Sequence, residues 1–173
     1  MVIWIIGLSA SGKTTLGRAL HELWKKESPN TVFVDGDDVR KIFEHTNESK
    51  SYTIEERRKN AERICRLCAW LDSQSINVVC SILSLFKESR DWNRKNYSKY
   101  FEVYIDAPME VLLRRETKGL YASAKRGERK NVVGMDIPFS PPENPDYVFD
   151  NSKDGIDIEK IAREILTLAF KRK

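Results

Sequence analysis

No apolar stretch in the chain approaches the roughly 18–20 residues needed to cross a bilayer, and there is no internal repeat or low-complexity tract. A membrane-spanning helix and a solenoid are therefore excluded at the outset. The apolar start is short, lacks a basic stretch and continues without a break into a glycine-rich loop, so it does not read as a signal peptide. Cysteine is scarce, with Cys65, Cys68 and Cys80 the only three among 173 residues. The Cys65–Cys68 spacing invites a metal or redox reading, but nothing nearby supplies a second ligand pair. Both lie in a helical stretch beside Leu67 and Trp70, so buried thiols in a reducing cytoplasm are the expectation. The net charge of +4 is modest. No aromatic-rich RNA motif accompanies the Lys and Arg excess, so an anionic small molecule is a better partner than nucleic acid.

What is present begins at the N-terminus. The apolar run Val2–Ile6 feeds into Gly7-Leu8-Ser9-Ala10-Ser11-Gly12-Lys13-Thr14, a complete G-x-x-x-x-G-K-[ST] phosphate loop between a strand and an amphipathic helix. Gly7 and Gly12 let the backbone turn so that successive N–H groups face phosphate oxygens. The helix that follows adds its positive end to the same anion site. Lys13 neutralises β- and γ-phosphate charge, and the Thr14 hydroxyl is placed to ligate Mg²⁺. The expected nucleotide contacts are Gly7, Ser9, Ser11, Gly12, Lys13, Thr14 and Thr15, with Arg114 from further along the chain.

Further β-branched runs follow at Thr31–Val34, Ile76–Cys80, Phe101–Ile105 and Tyr147–Phe149. Between them lie stretches with apolar residues at helical spacing: Leu16, Leu20, Leu23 and Trp24; then Ile64, Leu67, Cys68 and Leu71. Ile158, Ile161, Ile165 and Leu168 mark a last helix. Strict alternation of strand and helix predicts an α/β three-layer fold: a five-stranded parallel sheet, helices on both faces, in one domain over 1–173. Residues 118–145 are rich in glycine and proline and read as a lid or substrate-binding segment, about 116–145 overall.

Ligands of such sheets bind at the carboxyl ends of the strands. The second strand ends in Asp35-Gly36-Asp37-Asp38-Val39-Arg40. One carboxylate could hold Mg²⁺ and the other accept a proton from an attacking hydroxyl; alternatively, the acids cap a helix and complement its dipole. Ser84 follows the third strand. Arg114 and Arg115 follow the fourth, either over the transferring phosphoryl group or on a solvated face. Lys118, Lys125, Arg126, Arg129 and Lys130 form a basic cluster in the long loop.

Taken together, Gly-Leu-Ser-x-Ser-Gly-Lys-Thr-Thr at 7–15, Asp-Gly-Asp-x-Val-Arg at 35–40 and Lys-Gly-Leu-Tyr at 118–121 resemble the adenylylsulfate kinase family. Arg57, Asn60 and Arg63 in a charged helix and Gly-Met-Asp-Ile-Pro-Phe at 134–139 strengthen the resemblance, which runs through nearly the whole chain. It implies an ATP- and Mg²⁺-dependent kinase acting on the 3′-hydroxyl of adenosine 5′-phosphosulfate, cytoplasmic and homodimeric. By position, it implies that Asp37 approaches the hydroxyl, with Asp35 supporting it and the metal alongside Thr14. Arg40, Arg57 and Asn60 would bind the phosphosulfate side, and Lys118 would contact the acceptor from the lid. Ser84 matches a family serine and is read as a binding residue.

The departures fall on the base pocket. The family's proline after the serine is Leu85, and of its two aromatic rings around the adenine, Tyr52 can stand for the first while Val132 holds the place of the second. The Arg40–Tyr52 segment is also a few residues longer than the family pattern and lacks its Gly-Leu. A kinase of cytidine diphosphoramidate is the alternative this pattern opens. A nucleotide-gated regulatory module is a third reading, disfavoured because the remaining length forms a basic lid rather than a relay domain.

Overall fold

A computed structural model describes residues 1–43 and 52–171. The order is β1 (Val2–Ile6), α1 (Lys13–Glu27), β2 (Thr31–Asp35), α2 (Gly36–Phe43), α3 (Ile54–Ser73), β3 (Asn77–Ile82), α4 (Lys87–Asn96), β4 (Tyr100–Asp106), α5 (Met109–Arg115), α6 (Leu120–Lys125), β5 (Tyr147–Asp150) and α7 (Ile158–Lys171). All five strands are parallel, in the order β2-β3-β1-β4-β5.

The central strand β1 is buried along its whole length because both faces of the sheet are covered, which is why it reads as an uninterrupted apolar run. Its side chains alternate between two cores. Val2, Trp4 and Ile6 meet α2, α3 and α4 through Val39, Ile64, Cys68 and Trp92, whereas Ile3 and Ile5 meet α1 and α7 through Leu16, Leu20, Trp24 and Ile165. The three cysteines are free and buried in or beside the first core, with burial pushing the Cys65 thiol up to about 12. No helix among the described residues is long and apolar enough to cross a membrane.

Register decides where the site lies. Asp35 pairs with Ser81, and Ile6 pairs with both Ile82 and Tyr104, so β1 to β4 end along one edge. The segments leaving those ends therefore converge.

Two elements differ from the sequence expectation. Residues 118–145 do not form one loop: they contain α6, and a Val133–Ile137 bridge closes a turn beyond it. Glu116 starts α6 by accepting from Lys118 N and Leu120 N, both at 2.6 Å. The helix α4 is almost wholly polar and buries only Arg90 and Asn93, so it shows no apolar periodicity. The lengthened Arg40–Tyr52 segment falls mostly on residues outside the described ones.

At Gly17, α1 packs closely against the sheet. A Cβ there would lie 2.4 Å from Ser81 Oγ and 2.5 Å from a Phe33 ring carbon. Gly17→Ala would gain up to about 1 kcal/mol of helix propensity, but overpacking costs about 1–3 kcal/mol. The melting temperature is expected to fall by about 2–4 °C per kcal/mol of net loss. A thermal scan showing an unchanged or raised Tm would mean that Phe33 yields at no cost.

Candidate active site

The loop between β1 and α1 is shaped by two glycines. A Cβ on Gly7 would lie 2.5 Å from Ser11 Oγ, and Gly12 has φ +96°, a left-handed conformation that side chains resist. Ala10 shares that conformation with φ +62°. Gly7 and Ser11 stand behind the loop: the Ser11 side chain is buried, and its carbonyl accepts from Asn151 Nδ2 at 2.9 Å. Ser9, Gly12, Lys13, Thr14 and Thr15 line a cleft of about 470 Å³.

Lys13 points back across this loop, donating to Leu8 O at 2.6 Å. Burial pulls its amine down to about 8, with Asp37 and Asp35 acting in the opposite sense. Thr14 Oγ1 donates to Asp35 Oδ2 at 2.8 Å, and the other carboxylate oxygen accepts from Asp37 N at 2.9 Å. Asp35 thus joins the first turn of α1 to the first turn of α2. Asp35 caps α2, as the helix-capping alternative expects, and it also lines the cleft beside Asp37.

Further along the same cleft lie Arg40, Tyr52, Arg57, Asn60, Ser84, Lys118 and Val132. The Tyr52 ring is surrounded by guanidinium groups, with Arg40 at 4.8 Å, Arg57 at 5.3 Å and Arg129 at 5.5 Å from its centroid. Arg57 donates to Tyr52 O at 2.9 Å and to Asn131 O at 2.8 Å, bridging α3 to the turn that carries Val132. Burial, and then neighbouring Arg40, pull its guanidinium below its ordinary value. Ser84 is a non-glycine residue with φ +56°, held from behind: Trp4 Nε1 donates to its hydroxyl at 3.0 Å, and Arg90 Nη1 to its carbonyl at 2.8 Å.

Arg114 does not reach the cleft. It extends to Asp154 at 2.7 Å on the exposed side of α5, while its neighbour Arg115 lines the cleft and ties Asn151 O and Lys153 O at 2.8 Å each. Three more residues escaped the sequence reading. Tyr121 is buried beside Leu112 and Val132 and donates to Ser9 O at 3.0 Å, joining α6 to the phosphate loop. Asn151 secures the loop from β5. Asp136 accepts from Asn131 N and Val132 N at 2.6 and 2.5 Å, and these bonds hold its carboxyl below the usual range against the upward push of desolvation. Tyr121 lay in the Lys-Gly-Leu-Tyr segment and Asp136 in the Gly-Met-Asp-Ile-Pro-Phe segment, and both were findable there; Asn151 carries no motif signal.

No group of three or more His, Cys, Asp or Glu side chains forms a metal cluster among the described residues. Thr14 Oγ1 and Asp35 Oδ2 are hard oxygen donors beside the loop, a set suited to a small divalent cation bound together with phosphates.

The chain is similar to known proteins over almost its whole length. The family model described as adenylylsulphate kinase matches residues 1–150. The cytidine diphosphoramidate kinase of Campylobacter jejuni is 39% identical over 98% of this chain and 96% of its own length. A probable adenylyl-sulfate kinase of Aeropyrum pernix is 35% identical over 91% of this chain and 86% of its own. The APS kinase CysC of Mycobacterium tuberculosis, solved with AMPPNP and APS, superposes with a TM-score of 0.79 at 28% identity, covering 96% of this chain and 95% of that one. A phosphate loop, an acidic strand end and a match of this extent lead to one conclusion: the chain belongs to the adenylylsulphate kinase family and is a phosphotransferase with an alcohol group as acceptor.

Proposed function

We propose that the chain transfers the γ-phosphoryl group of ATP to the 3′-hydroxyl of adenosine 5′-phosphosulfate. One observation carries the reading: the cleft is continuous from the phosphate loop, past Asp37, to the guanidinium cage around Tyr52. Donor phosphates at Lys13 and an anionic acceptor at Arg40 and Arg57 would meet beside Asp37. In that complex the 3′-oxygen forms its bond to the γ-phosphorus as the bridging oxygen leaves with ADP, and Asp37 takes the hydroxyl proton. Positioning and charge neutralisation suffice for such a transfer. Ser84 needs no covalent role, and its hydroxyl already accepts from Trp4. Asn60 and Lys118 complete the acceptor site. Thr14 and Asp35 would hold a magnesium ion arriving with the nucleotide, and that ion would supply neutralising charge at the β- and γ-phosphates. The 116–145 segment acts as the lid of one kinase domain, in a cytoplasmic homodimer.

A second reading, phosphorylation of cytidine diphosphoramidate, has a specific observation in its favour. Val132 lines the same cleft as Tyr52, and an aliphatic side chain stands there where the family pattern has a second ring. The Campylobacter jejuni relative named for that substrate supports it too.

A coupled ADP-release assay with MgATP and each acceptor separates the two. Adenosine 5′-phosphosulfate is expected to turn over with the higher kcat/KM, and the reverse order would favour the second reading. Transfer to neither would remove both. In the same assay Val132→Phe should raise the preference for adenine, since stacking on a ring contributes about 1–3 kcal/mol, roughly 5- to 150-fold. Unchanged selectivity would take Val132 out of the base pocket.

The lowered Lys13 amine gives a pH test. Below pH 8 the free protein holds the ammonium that the phosphates require; above it that charge is lost, and binding must restore the proton. ATP affinity, read by calorimetry, is expected to be flat below pH 8 and to weaken by about tenfold per unit well above it. An affinity unchanged to pH 10 would contradict the pairing.

A further inference from the structure

We propose that Asp136, outside the cleft, is a positioning residue that sets base selectivity by pinning the wall opposite Tyr52. The inference rests on the reading that Tyr52 and Val132 flank the acceptor base. The geometry behind it is a closed turn. Val132 O accepts from the amides of Met135, Asp136 and Ile137 at 3.1–3.2 Å, and Gly134 N donates to Ile137 O at 2.8 Å. The turn is closed by its own bonds, and its entry residue Asn131 has φ +62°, a left-handed conformation that Asn tolerates and that directs its amide and carbonyl to separate partners.

Two groups hold it, from opposite sides of the peptide. The Asp136 carboxylate grips the amides of Asn131 and Val132, one with each oxygen. The Arg57 guanidinium takes the Asn131 carbonyl and, through its Nε, the carbonyl of Tyr52. Arg57 is thus a strut across the slot, and Asp136 locks the far end of that strut. These four bonds link the backbone of Tyr52 to that of Asn131 and Val132. Charge-assisted bonds of this kind are short and directional, so the wall has one position rather than several. The Asp136 side chain is solvent-exposed and absent from the cleft lining, so replacing it opens no hole in a core and removes no contact to a ligand.

The test uses Asp136→Asn and Asp136→Ala in the full chain. Dissociation constants for adenosine 5′-phosphosulfate, cytidine diphosphoramidate and AMPPNP are measured by calorimetry, with turnover and Tm in parallel. Asn presents one carboxamide oxygen and one NH₂ to two amide donors, so it cannot grip both. Both variants are expected to shift the ratio of the two acceptor dissociation constants at least threefold toward unity. AMPPNP binding should stay within twofold of the parent and Tm within a few degrees. A merely structural role would weaken AMPPNP and lower Tm together with the acceptors, and that outcome would overturn the proposal. So would an acceptor ratio equal to that of the parent chain, or a parent that binds neither acceptor. Failure of the parent to turn over either acceptor would instead count against the function, while the binding ratio still decides the role of Asp136.

Discussion

The hydrogen bond from Thr14 Oγ1 to Asp35 Oδ2, 2.8 Å long, holds the two halves of the site together. It joins the helix that leaves β1 to the turn that leaves β2, two strands that are not neighbours in the sheet. Because β3 lies between them in parallel register, their ends meet at one level, and a short side chain can span the gap. The other Asp35 oxygen fixes the amide of Asp37. Asp37, which the proposed transfer places at the acceptor hydroxyl, is thereby tied to the phosphate loop. For phosphoryl transfer, where alignment of attacking and leaving oxygens contributes most of the acceleration, such a linkage matters more than the strength of any single group.

The segment after β4 is built on the same loop. A small third core of Leu112, Tyr121 and Val132 packs against Leu8, and Tyr121 donates to Ser9 O. The part of the cleft that holds Val132 is therefore carried by residues that touch the phosphate loop. Arg115 and Asn151 anchor the loop from the β5 side, so the loop is gripped at Ser9 and at Ser11 by different elements. The loop's backbone, rather than its side chains, is what these contacts fix.

Much of this was legible in the residues. The run Val2–Ile6 bounded by Gly7 specifies a doubly covered strand and a loop, and the periodic Leu16, Leu20 and Trp24 specify the helix after it. Asp35 and Asp37 were identifiable from their place after a β-branched run. Other features left no such trace. Helix α4 buries polar side chains, so its period is invisible in an apolar pattern. The choice between Arg114 and Arg115 turns on one residue of helical rotation, about 100°, which sequence spacing cannot resolve. Asn151 acts on the backbone of a residue 140 positions away, and Asp136, though inside the quoted 134–139 segment, bonds turn amides that only the folded chain brings to it. Val132 in the place of a ring was visible in the sequence, yet the bonds from Asp136 to the Asn131 and Val132 amides were not.

The account stands on Asp37 facing the acceptor while the loop alone holds the nucleotide. Steady-state turnover of Asp37→Asn, measured with its ATP dissociation constant, tests this most directly. Loss of a general base is expected to lower kcat by about 10²–10⁴-fold, with ATP affinity within a few-fold of the parent. Near-normal kcat, or a loss confined to ATP binding, would contradict it.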